Sequence, residues 1–174
     1  METEKKNKEI LKEQIRALRS GNRTTIMHAL KEIRKDSKID ILPELFDLLL
    51  EQEDEEIIHE VSSLLNDLKL QEAAPVLAEA LENPDYETIS RILASACWQN
   101  GLSYGKYAES LTKLIIKADL ETAIEVFTVL EEAVGEIEVK EREKLVLTLK
   151  HGMLNTDEHK KLLLRELIKA IESY

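Results

Sequence analysis

Shifted against itself by 32 residues, this sequence places Pro43 on Pro75, Leu45 on Leu77, Leu49 on Leu81, Glu55 on Glu87 and Ile57 on Ile89. A shift of 34 carries Leu77 to Leu111, Leu81 to Ile115, Glu87 to Glu121, Thr88 to Thr122 and Leu93 to Phe127. A shift of 37 takes Val126 and Leu130 to Leu163 and Leu167, and a backward shift of 31 takes Ile57 and Val61 to Ile26 and Leu30. Apolar coincidences alone arise in any set of packed helices. A shared proline, shared turn acids and a nearly constant register do not. Such a period marks a stack of supersecondary units, none of which can bury its own apolar surface alone.

Inside each unit the apolar residues recur at helical spacing, and no segment alternates with period two. Five glycines and three prolines in 174 residues leave little material for β-turns. Helices are therefore predicted at about 4–19, 23–36, 39–51, 54–69, 72–82, 85–99, 105–117, 120–135, 138–151 and 157–173. Gly21-Asn22 ends one helix and caps the next, while Asn83-Pro84-Asp85 stops a helix before proline and offers Asp85 as a cap. Asp119, and Thr156 or Asp157, are placed to do the same. The expected fold is all-α: about ten helices in about five antiparallel hairpins, near 4–36, 39–69, 72–99, 105–135 and 138–173, in one domain over 1–174.

Two units carry a more specific pattern. Asp40-Ile-Leu-Pro43-Glu-Leu-Phe-Asp-Leu-Leu leads through an acidic turn to Ile57-Ile-His-Glu-Val61-Ser-Ser-Leu-Leu65. Ala73-Ala-Pro75-Val-Leu-Ala-Glu-Ala-Leu81 leads through Asn83-Pro-Asp85 to Ile89-Ser-Arg91-Ile-Leu-Ala-Ser-Ala96. An early proline in the first helix and an Asp or Asn at the turn resemble the HEAT and HEAT-like repeats. That resemblance implies an α-α superhelix, a right-handed solenoid in which each second helix lines a concave face. The first unit and the last two match only in apolar register, as terminal capping units would.

Charge narrows the partners. The net charge is −11, but residues 1–38 carry a balance of +5, residues 39–138 one of −18 and residues 139–174 one of +2. The acidic middle repels nucleic acid and anionic lipid and favours a basic protein or peptide. No stretch reaches the roughly 18 apolar residues of a membrane span. The charged start, Met1-Glu-Thr-Glu-Lys-Lys, has no apolar segment of signal type, so a cytoplasmic location is expected. Cys97, the only cysteine, can make no internal disulfide and is expected in the core.

No phosphate loop, zinc-protease helix or nucleophile elbow is present. His59-Glu60 resembles the His-Glu pairs of HEAT-like deoxyhypusine hydroxylases, which hold iron with several such pairs. Here the equivalent of His59 one repeat later is Arg91, so neither metal, cofactor nor catalytic residue is assigned. HEAT-like DNA glycosylases use a basic groove, which the central acidity opposes. The likeness to HEAT-like bilin lyases lies in the repeat alone. A HEAT-like metalloenzyme or lyase-related protein therefore stands second to a binding scaffold. A third alternative is a structural subunit of an oligomer, whose contact would be Leu162-Leu163-Leu164.

With Ile57, Val61, Leu64, Leu65, Ile89, Leu93, Ala96, Cys97, Val126, Phe127 and Leu130 buried, the outward residues of the second helices form a strip. Glu56, His59, Glu60, Glu87, Glu121, Glu125 and Glu132 make it acidic, with Arg91 and Trp98 near its middle. Trp98 to Tyr107, which includes Tyr104, holds the only Trp and two of four Tyr. Such residues favour binding hot spots, but they also suit a cover over a wide gap between repeats. These ten residues are the expected partner-binding set.

Overall fold

The computed structural model describes residues 2–36 and 39–174, among which regular structure is helical throughout. The ten α-helices found there are α1 (Glu2–Leu18), α2 (Arg23–Asp36), α3 (Leu42–Glu51), α4 (Glu55–Asn66), α5 (Ala73–Glu82), α6 (Ser90–Asn100), α7 (Ala108–Lys117), α8 (Leu120–Ala133), α9 (Val139–Gly152) and α10 (Glu158–Glu172). Short 3-10 turns precede α3, α6 and α7 and follow α8 and α9.

Consecutive helices pack pairwise into five hairpins. α2, α4, α6, α8 and α10 then pack in series, forming one layer. In the other layer α1 packs on α3, and α5, α7 and α9 pack in series. α3 reaches the third hairpin through the 3-10 turn Pro84–Ile89. One apolar cluster runs the length of the stack, from Leu18 to Ile171.

Four helix starts, those of α2, α4, α8 and α10, carry a side-chain cap. Gly21 adopts φ 67°, a left-handed turn that suits glycine, and Asn22 Oδ1 accepts from Thr25 N at 3.0 Å. Asp54 Oδ1 accepts from Glu56 N at 3.0 Å and from Ile57 N at 3.3 Å, so the acidic run is in part a cap for α4. Asp119 and Asp157 cap α8 and α10 through Thr122 N (2.9 Å) and Lys160 N (3.0 Å), and these backbone bonds hold both carboxyls below the usual range. Asp85 does not cap. Asn83 Oδ1 accepts from Asp85 N at 3.0 Å, and proline at the next position starts a 3-10 turn instead of α-helix.

The repeat is visible in the bonds between hairpins. Arg23 with Asp54, Asn66 with Gln99, Gln71 with Ser103, Arg91 with Glu121 and Gly105 with Glu136 are 30 to 33 residues apart. In the core, Ile57, Val61, Leu64 and Leu65 of α4 correspond to buried Ile89, at the end of the turn into α6, and to buried Leu93, Ala96 and Cys97 of α6, as the shift of 32 predicts. The next step differs by one residue. Val126, not Phe127, takes the fully buried place of Leu93, and Phe127 is only half-buried. Thr122, Val129 and Leu130 then follow Ile89, Ala96 and Cys97 at an offset of 33, because the connection before α8 is one residue shorter than the shared Glu-Thr pair implies. In α10, likewise, Leu164 is buried and Leu163 half-buried.

Candidate partner-binding face

The expected strip lies on one layer, since its residues sit on α4, on the turn into α6, on α6 itself and on α8, which pack side by side. The structure brings most of them together, and also brings charges of the opposite sign. Arg23 of α2 binds Asp54 (2.9 Å) and Glu56. Arg34 of α2 reaches Glu60 at 3.6 Å, Ser63 Oγ at 3.1 Å and Asp67. Arg91 binds Glu121. Three of the six carboxylates in the strip are thereby matched by arginines of the same layer. These pairs are exposed or half-exposed, where each contributes under about 1 kcal/mol. Their effect here is on the surface potential more than on stability.

Trp98 is half-buried on α6, and its indole Nε1 donates to Glu125 Oε2 at 2.7 Å. His59, Glu87 and Glu132 are exposed, and their side chains make no hydrogen bond or ion pair among the described residues. A groove of ≈ 400 Å³ is lined by Ser62 and Asn66 of α4, by Thr88 before α6, by Arg91, Ile92, Ser95 and Gln99 of α6, and by Glu125 of α8. Asn66 Nδ2 donates to Gln99 Oε1 at 3.0 Å, and Gln99 Nε2 to Ser95 Oγ at 2.9 Å, so the groove wall is itself hydrogen-bonded. These hydroxyl and amide groups were missed by counting charge alone. Their signal was present in the sequence, because Asn66 and Gln99 are one repeat apart.

Tyr104 has to be removed from the face. It is 2% exposed, and Asn100 Nδ2 donates to its hydroxyl at 3.1 Å. The connection that carries it is stitched to both neighbours. Gln71 exchanges two bonds of 2.9 Å with the Ser103 backbone, and Glu136 Oε2 accepts from Ser103 Oγ (2.7 Å) and Gly105 N (2.9 Å). Gly101 ends α6 at φ 67°, and the Tyr104 ring that follows joins the apolar cluster. Beyond Trp98, the aromatic segment is a cover for the core.

Cys97 lies beneath this cover. Burial pushes its thiol from 9.0 up to about 12, partly offset by a bond with Tyr104, whose own hydroxyl burial also pushes up. Between those values the unfolded chain has released a proton that the native chain keeps. Stability therefore falls as pH rises through that window. Denaturant unfolding at about pH 8 and about pH 10 should show that fall, and Cys97→Ala should reduce its slope. A thiol reagent should label the native protein only at the rate of unfolding.

Among the described residues no three His, Cys, Asp or Glu side chains group as a metal site, and no helix is long and apolar enough to cross a membrane. Fold and face together define an all-helical stack of hairpins with a polar, grooved layer. No family model matches the chain, and no curated protein matches it significantly.

Proposed function

We propose that the chain is a non-catalytic, HEAT-like interaction module whose α4–α6–α8 face receives a basic peptide or a basic protein surface. The observation that carries this reading is the division of the carboxylates. Among the described residues, Glu56, Glu60 and Glu121 already have arginine partners, whereas Glu87 and Glu132 have none and Glu125 is held only by a neutral indole. Glu125 also borders the groove. An incoming lysine or arginine gains most from carboxylates that are not already paired, and such pairs govern specificity and association rate. Hydroxyl and amide groups in the groove suit the backbone of an extended segment. The cytoplasm, where a lone thiol is ordinarily reduced, fits a protein with Cys97 as its single cysteine.

The test is titration of a labelled Lys/Arg-rich peptide panel, followed by fluorescence anisotropy and by the Trp98 emission. The triple variant Glu87→Lys/Glu125→Lys/Glu132→Lys should weaken the best peptide by at least about tenfold. Glu56→Gln should change it by less than about threefold, because Arg23 already neutralises Glu56. Equal affinity for the triple variant and the parent would end this reading.

A further inference from the structure

The two ends of the stack differ. At the first hairpin, the groove lined only by α1 and α2 sets Ile10, Ala17 and Ala29 beside Glu13, Thr24, Thr25, His28 and Glu32. At the last hairpin, a groove of ≈ 490 Å³ is lined only by α9, α10 and the residues after it, so it faces away from the rest of the stack. Its walls include Val139, Leu147 and Tyr174, which are 63%, 68% and 74% exposed. Among the described residues, every large hydrophobic more than half exposed lies in this hairpin or just after it. Leu162 is one of them, whereas Leu163 is half-buried and Leu164 buried.

The α9 side of this groove has an order of its own. Val139, Arg142, Glu143, Val146 and Leu147 fall at intervals of three, four, seven and eight residues and therefore form one helical stripe. Read from either end, its first four members are apolar, charged, charged, apolar, Val139 being 63% and Val146 8% exposed. Two copies laid antiparallel, with a twofold axis at the Arg142–Glu143 peptide, put Val139 against Val146 and Arg142 against Glu143, each twice, while Leu147 falls at the edge of the match opposite Glu138. Arg142 also needs a partner. It makes no ion pair among the described residues, and its Nε is buried without a hydrogen bond. A self-complementary patch is what a twofold interface requires.

We infer that α9 is a homodimer interface, in which the stripe around Arg142 and Glu143 packs antiparallel on its own copy. This inference is independent of the proposed partner face, which lies on α4, α6 and α8. Sedimentation velocity and light scattering of the full chain should give twice the 19.9 kDa of one chain. Val139→Asp/Leu147→Asp should give a monomer. Arg142→Glu and Glu143→Arg, each alone, set like charges against one another and should weaken association by at least about tenfold. The decisive arm is the mixture of those two single variants. One copy then presents two adjacent carboxylates at the centre of the stripe and the other copy two adjacent guanidinium groups, so a heterodimer should form where neither variant self-associates. Recovery in the mixture also shows that both variants fold. A monomeric parent at every concentration would overturn the inference. So would single variants that dimerise like the parent, or a mixture that recovers nothing.

Discussion

Phe46→Ala is expected to be among the most damaging single substitutions, lowering stability by ~3–5 kcal/mol. Phe46 is 1% exposed on α3 and is one of the largest fully buried side chains. Its ring stands edge-on to Tyr86, with centroids 5.6 Å apart and planes at 73°. Tyr86 in turn donates through its hydroxyl to Asp47 Oδ1 at 3.0 Å. α3 touches the third hairpin through the turn that carries Tyr86, so the aromatic pair joins the second and third hairpins. Truncation removes the buried area, leaves a cavity, and loses the aromatic pairing of about 0.5–1.5 kcal/mol. In a linear stack each unit is held only by its neighbours, so the loss should be local. Amide exchange should accelerate most in the second and third hairpins, and Phe46→Leu should recover much of the loss. Uniform acceleration across all five hairpins would mean that the stack unfolds as one unit.

Lys160→Met should cost about 1–3 kcal/mol, although it keeps most of the apolar stem. Lys160 is only 5% exposed, unusual for a lysine. Its Nζ donates to Ile116 O at 2.7 Å, a carbonyl in the last turn of α7 that the helix itself leaves open, and to Ala118 O just beyond the helix. A side chain of the last hairpin thus closes a helix of the fourth. Burial lowers the lysine pKa, while Asp157 and Asp119 oppose that shift. Methionine fills the same space but donates nothing, leaving both carbonyls without this partner. Urea unfolding of the variant should show a lower midpoint with an unchanged slope. No change in midpoint would mean that water replaces the ammonium without loss.

Helix positions were legible in the sequence because helical period, caps and the repeat all pointed the same way. Asn22, Asp119 and Asp157 cap as their residue types imply, and the cores of α4 and α6 follow the shift of 32. The offset of 33 into α8 was not legible. Glu87-Thr88 and Glu121-Thr122 match as letters, but Thr88 is exposed and Thr122 buried. That the strip's helices share one layer was legible, but its arginine partners were not. Summing charge over residues 39–138 left out Arg23 and Arg34, which belong to the basic first segment yet neutralise acids of α4. Tyr104 was misplaced for a related reason. Aromatic content alone cannot distinguish a binding loop from a cover, whereas Gln71 and Glu136, each about one repeat away, supply the bonds that make it a cover. Charge pairs and covers across a stack follow the repeat period, not the local run of residues.

The measurement closest to the central claim is a 1H–15N titration of the chain with the tightest Lys/Arg-rich peptide. The account predicts shifts concentrated from Glu87 to Gln99 and at Glu125 and Glu132, with the Trp98 indole proton among the largest. Shifts confined to α3, α5 and α7, or none at concentrations where the peptide binds by anisotropy, would contradict it.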